Sequence, residues 1–180
     1  AFEGCSALEA ISIPSSVTKL GYYAFKDCCS LKKVSIPPSI KSIHDFAFSS
    51  CKSLTEITIP ASVTIIAPSS FSICIALRKV NFVDASQITE IGDFAFRECV
   101  SLSEMIISKS VIKIGDYAFY KCSTLRNVSF EEPSSLKEIG KFAFYGCSAL
   151  TDFKVPASVE TIGESALPPV EKKGGFCNIF

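Results

Sequence analysis

Tryptophan is absent from the 180-residue chain, and histidine and methionine occur once each. With His44 as the single imidazole, any Ser-His-Asp or Cys-His arrangement would have to be built on it. His44 sits in a turn register with no supporting motif, and its expected role is that of a surface residue standing where glycine usually stands. There are nine cysteines but no C-x-x-C pair, which removes the usual spacing for zinc. A phosphate-binding glycine loop, a dinucleotide fingerprint and an HExxH helix are all missing. Neither sign of charge is in excess, with 18 Lys and Arg against 18 Asp and Glu, so nothing draws the chain as a whole toward nucleic acid or an anionic bilayer. No apolar run is long enough to form a membrane-spanning helix. These absences predict a non-enzymatic protein with no cofactor, no metal and no nucleic-acid partner.

What is abundant is equally one-sided: 48% of the residues are hydrophobic, and there are 15 phenylalanines. That excludes a disordered chain, and a skew of this kind points to one unit used many times. Phe2, Phe25, Phe48, Phe71, Phe96, Phe119 and Phe144 follow one another at spacings of 23, 23, 23, 25, 23 and 25. Each is preceded by Ala, with Ser70 the one substitute. Three residues after each Phe stands a cysteine: Cys5, Cys28, Cys51, Cys74, Cys99, Cys122 and Cys147. Three residues later stands a leucine: Leu8, Leu31, Leu54, Leu77, Leu102, Leu125 and Leu150.

After each leucine the pattern changes to period two, as in Leu8-x-x-Ile11-x-Ile13 and Leu54-x-x-Ile57-x-Ile59. Alternating β-branched residues predict a short strand with one buried face. Pro14, Pro37, Pro60 and Pro156 end it, because proline cannot donate to a ladder. A second apolar pair follows, such as Val17/Leu20 or Val111/Ile114, and then Gly21, Gly92, Gly115, Gly140 or Gly163, read as a turn position favouring φ > 0. The next Ala-Phe is expected in a single helical or 3₁₀ turn. One such unit cannot bury its own apolar side, but stacked units bury one another's. The expected fold is therefore a solenoid with one parallel β-sheet on one side and short turns and 3₁₀ or helical segments on the other. Seven coils at about 4.8 Å would give a rod roughly 35 Å long.

Ala-Phe-x-x-Cys-x-x-Leu-x-x-Ile-x-Ile-Pro-x-Ser-Val-x-x-Ile-Gly resembles the BspA-like leucine-rich repeats of bacterial surface proteins and mucosal protozoan parasites. The resemblance covers residues 1–167 as seven repeats of 23–25 residues, with 168–180 as a tail. It implies a right-handed leucine-rich-repeat superhelix and a surface adhesin or binding module for host matrix or other proteins. Repeats four and six depart from the pattern. Each has two extra residues after its strand, around Asp84–Gln87 and Glu131–Ser135, and each places Phe (Phe82, Phe130) where others have Ile or Val. Two small bulges on one edge of the rod are expected.

The cysteine ladder occupies a register that needs a small apolar residue, so its thiols are expected to be buried and reduced. Cys29, beside Cys28, is expected to point outward. The residues between the inward-facing positions of each strand must face away from the core. They make three columns that contain Lys32, Lys33, Ser35, Glu56, Thr58, Arg78, Lys79, Asn81, Glu104, Ile106, Arg126, Asn127, Asp152 and Lys154. Solenoids bind partners through such extended surfaces, and these fourteen residues are the candidate protein-binding site. The chain's last four residues, Cys177-Asn178-Ile179-Phe180, match a prenylation box, which makes Cys177 a candidate lipid attachment site. The expected location is membrane-associated, at the cell surface or on the cytosolic face of the plasma membrane. The rival to a surface adhesin is an intracellular scaffold tethered through Cys177.

Overall fold

The computed structural model describes residues 1–83 and 86–168. The chain winds as a parallel β-solenoid of about seven turns, each coil lying on the one before. The strands after the leucines are β1 (Ala10–Ser12), β2 (Lys33–Ser35), β3 (Glu56–Ile59), β5 (Lys79–Phe82), β7 (Glu104–Ile107) and β9 (Asn127–Phe130). They pair in parallel as β1–β2, β3–β5 and β7–β9, each residue opposite its repeat equivalent, as in Ile57 opposite Val80.

A second sheet lies on another side of the coil, where only turns and helical segments were expected. The second residue of the apolar pair and the residue before it form two-residue strands: β4 (Ile65–Ile66), β6 (Glu90–Ile91), β8 (Lys113–Ile114), β10 (Glu138–Ile139) and β11 (Thr161–Ile162). They make one continuous five-stranded parallel sheet, and bridges from Leu20 to Ile43 and from Ile43 to Ile66 extend it to the first coils. The single-sheet expectation is thus corrected. Two residues are too few to display alternation, so the pattern that reveals the strands after the leucines, which pair as three two-stranded sheets, cannot reveal this one.

Nor is there a helix among the described residues. Around each Ala-Phe the backbone alternates its handedness. One column of residues with positive φ precedes the phenylalanine by two: Tyr23, Phe46, Ser69, Phe94, Tyr117 and Phe142. A second follows it by two: Gly4, Asp27, Ser50, Ile73, Glu98, Lys121 and Gly146. A left-handed residue at every fourth step prevents a helical run and swings alternate N–H groups toward the next coil. Phe94, Phe96 and Glu98 donate in turn to Asp116, Ala118 and Tyr120, each at 2.8 Å. The groups between them close local turns, as in Arg97 N–H to Phe94 C=O at 3.1 Å. Left-handed backbone costs roughly 1–2 kcal/mol at a residue with a side chain. The hydrogen bonds to the neighbouring coil, unavailable to an isolated unit, offset that cost.

The register of Gly92 and Gly115 was expected to favour φ > 0, and these glycines do not adopt it; the left-handed residues come two positions later. These glycines serve close approach. A Cβ on Gly92 would come within 2.8 Å of Pro68 N and 2.9 Å of Ile66 O, and one on Gly115 within 2.6 Å of Asp93 N.

Inside, each register becomes a ladder. Phe25, Phe48, Phe71, Phe96, Phe119 and Phe144 are fully buried. Their rings stack on one another at 5.1–5.4 Å, nearly parallel, with Phe2 continuing the column at one end. Offset stacking at this spacing adds about 0.5–1.5 kcal/mol per pair to the burial of the rings. Leu31, Leu54, Leu77, Leu102 and Leu125 form the adjoining ladder and have no exposed surface.

Candidate functional site

The cysteines are placed by the interior, not by chemistry. Cys51, Cys74, Cys99, Cys122 and Cys147 are buried free thiols, and Cys28 joins them. Each Sγ donates to the phenylalanine carbonyl of the preceding coil: Cys28 to Phe2 at 3.0 Å, Cys51 to Phe25 at 3.2 Å and Cys99 to Phe71 at 3.2 Å. Cys74, Cys122 and Cys147 repeat the bond at 3.1 Å. Each of these carbonyls also accepts the N–H of the cysteine three residues on in its own coil, as in Cys74 N–H to Phe71 C=O at 3.3 Å, so the thiol is the second of two donors, and alanine in its place would remove one of them. Burial pushes the Cys74 thiol up to about 12 and raises Cys51, Cys99 and Cys122 as well. A thiol held protonated in this way is a poor nucleophile and a poor metal ligand. Cys29, expected to face outward, is half-buried, with its Sγ 3.9 Å from Ser50 O.

His44 is half-buried rather than a plain surface residue. Its Nε2 lies 3.0 Å from Ser42 Oγ, and its ring is tilted against Tyr22 at 5.1 Å. Among the described residues, no group of three or more His, Cys, Asp or Glu side chains converges as a metal would require. No helix of the described residues is long and apolar enough to cross a membrane.

The outward columns are where the sequence places them. Lys33, Glu56, Lys79, Glu104 and Asn127 open their strands and are exposed, while Val34, Ile57, Val80, Met105 and Val128 point into or against the core. Ser35, Thr58, Asn81 and Ile106 are the next outward residues; all are exposed except Asn81, which is half-buried. Lys32, Arg78 and Arg126 lie just before the strands. Their side chains are exposed and their N–H groups donate to Glu9, Thr55 and Ser103 of the preceding coil at 2.8–2.9 Å. Asp152 and Lys154 are exposed in the last coil, which forms no strand there. The register sets like beside unlike, with Glu56 opposite Lys79 and Glu104 opposite Asn127.

Shallow depressions follow this face. One of about 440 Å³ lies over Lys33, Ser35, Glu56 and Thr58, and another of about 270 Å³ over Lys79, Asn81, Glu104 and Ile106. Fixed, solvated polar groups over a rigid sheet can hydrogen-bond and pair with a partner's side chains, but they bring no nucleophile and base together. Sequence reasoning missed a cluster of aromatic rings near the Ala-Phe turns. Phe94, Tyr117 and Phe142 stack at 4.9 and 5.0 Å, and Tyr120 stacks on Tyr145 at 5.7 Å. The aromatic recurring two residues before the ladder phenylalanine was the available signal. Cys177 lies outside the described residues.

The family model for the BspA-type leucine-rich-repeat region matches in six copies, over residues 1–88 and 83–168. A comparison with curated proteins gave no match. Among solved structures, a leucine-rich-repeat protein from Eubacterium ventriosum is 27% identical, with a TM-score of 0.79 over 94% of this chain and 45% of its own. A leucine-rich-repeat protein of T. pallidum is 33% identical, with a TM-score of 0.75 over 84% of this chain and 69% of its own. A leucine-rich cell surface protein from Faecalibacterium prausnitzii is 26% identical, with a TM-score of 0.54 over 93% of this chain and 52% of its own. The chain therefore spans about half the length of two of these three relatives. A repeat motif legible in every coil, a stacked parallel solenoid and a match along nearly all the described residues agree: the chain belongs to the BspA-type leucine-rich-repeat family.

Proposed function

We propose that the chain is a non-enzymatic protein-binding module, a surface-associated adhesin that takes host or matrix proteins on the outward face of the strands that follow the leucines, β1, β2, β3, β5, β7 and β9. The observation that carries this reading is the contrast across each strand. Thirteen of the fourteen candidate residues are exposed, while the side chains that alternate with them pack on a rigid core. Surface location is supported by the likeness to the F. prausnitzii cell surface protein. Polar columns on a preorganised sheet lose little conformational freedom on docking, which favours recognition of a protein partner.

The test is adsorption of the purified chain to an immobilised basement-membrane extract. The K33E/K79E variant should lose at least tenfold in apparent affinity while its circular dichroism and melting remain unchanged. Equal binding by the variant would remove the sheet face from the account, and no adsorption by the parent chain would remove matrix adhesion. Biotinylation of intact source cells should label the protein; labelling only after lysis would overturn the surface assignment.

A further inference from the structure

In a stacked repeat each position is dictated by its equivalents above and below, so a departure that does not help stacking asks for another cause. Three such departures meet in one place. Repeats four and six both lengthen after their strand, while repeat five between them does not. Ile106 is the single apolar residue in an outward column that otherwise reads Ser12, Ser35, Thr58, Asn81, Ser129 and Lys154. It is 53% exposed and opposite Ser129 in the sheet, so it adds nothing to the core.

Described residues in and beside the two lengthened segments line a cleft. Phe82, Val83 and Ser86 stand on one side and Glu131 and Glu132 on the other, with Ser108 and Lys109 of the shorter coil between them. The cleft holds about 520 Å³ and adjoins the 270 Å³ hollow over Ile106, sharing Phe82, Ser108 and Glu131 with it. Val83 is exposed, so an apolar strip runs from Ile106 toward the mouth. The carboxylates are held at the rim by backbone donors. Glu131 Oε2 accepts from Lys109 N–H at 3.2 Å, and Glu132 Oε2 from Ser134 N–H at 3.1 Å. Among the described residues, none of the ion pairs includes Glu104, Glu131 or Glu132. The rim thus offers these three carboxylates against the ammonium groups of Lys79 and Lys109.

We propose that this cleft seats an extended protein segment that lays an apolar side chain against Ile106 and Val83 and sets a Lys or Arg beside Glu131 and Glu132. The proposal rests on the reading that this face binds protein, and narrows it to the chemistry of the segment recognised. An apolar strip ending in paired carboxylates rejects an acidic segment by repulsion and leaves a wholly polar one with nothing to bury.

The test is a phage-displayed 12-residue peptide library panned on the whole 180-residue chain. Clones are then compared on the parent, on I106S/E131Q/E132Q and on K33E/K79E. Gln keeps the acceptor that each Glu gives to the backbone, and Ile106 is exposed, so the triple variant should fold as the parent does. Selected clones should carry Lys or Arg within two positions of an apolar residue, bind the triple variant at least tenfold more weakly, and weaken as salt is raised. Clones lost on K33E/K79E but retained on the triple variant would overturn the cleft while leaving the sheet face intact. Acidic clones, clones indifferent to both variants, or no enrichment would also overturn it.

Discussion

The inside of each coil and its outward strand face are made by the same few residues, yet they follow opposite rules. Behind the strand, the phenylalanine, cysteine and leucine registers hold the same residue in nearly every coil. On the front, Lys33, Glu56, Lys79, Glu104, Asn127 and Asp152 succeed one another in equivalent positions with no constant chemistry. Stacking explains the first: a ring 5.3 Å from its equivalent packs best against another ring. The second faces water, where changing a side chain alters little about the fold. Stability resides in the repeated registers and the proposed recognition surface in the changing ones, so the two can be perturbed separately.

The largest expected effect strikes several interior registers together. Burial raises the thiols of Cys51, Cys74, Cys99 and Cys122 above the ordinary thiol value of about 9, Cys74 to about 12. The unfolded chain releases these protons at lower pH than the folded one. Stability from the protonated thiols is therefore complete below about pH 9 and falls as pH rises above it. Each thiol contributes a slope of about 1.4 kcal/mol per pH unit until its folded form also ionises. Urea unfolding from pH 8 to 11 should show a steep loss; a flat profile would mean that the thiols are accessible when folded.

Next comes Phe71→Ala, which removes the middle ring of the column. Both neighbours lose their stacking partner, and a loss of about 3–5 kcal/mol is expected in chemical denaturation. A cost below 1 kcal/mol would show that the coils can close over the gap. Cys99→Ala should cost about 1–3 kcal/mol, because Phe71 C=O loses one of its two donors and the buried side chain loses its packing. Cys99→Ser restores a donor and should recover part of that; equal losses for the two would assign the register to volume alone. The smallest effect is on the front. K33E/K79E should change stability by no more than about 0.5 kcal/mol, since both side chains are exposed and neither takes part in an ion pair among the described residues. A larger change would erase the division between the two surfaces.

The interior was legible because stacking forces the same residue into the same register, so the sequence displays each ladder directly. The outward columns were legible because side chains alternate along a strand, and only Asn81 is less exposed than that rule predicts. Three features were not. The second sheet is built from pairs such as Ile65–Ile66 and Glu90–Ile91, whose two residues cannot show a period. The purpose of Gly92 and Gly115 depends on how near the preceding coil lies, a distance no single repeat encodes. Left-handed backbone was assigned to those glycines, whereas it falls on Phe94 and Tyr117, residue types that give no local sign of it. What the repeat predicts well is what each residue does within its own coil; what it hides is what the coil requires from its neighbours.

The alternating turns also bear on how such a chain can come into being. At the Ala-Phe turn, Phe25 N–H and Phe48 N–H reach forward to Ala47 and Ser70 of the following coil. At the strands, Lys32 and Arg78 reach backward to Glu9 and Thr55. A coil emerging during synthesis satisfies its backward bonds at once, but its left-handed turn stays unrewarded until the next 23 to 25 residues arrive. Growth is therefore expected to proceed with one unfinished edge at the front, each coil being completed by its successor. The number of coils then becomes a quantity that evolution can lengthen or shorten one repeat at a time, without redesigning any of those already laid down.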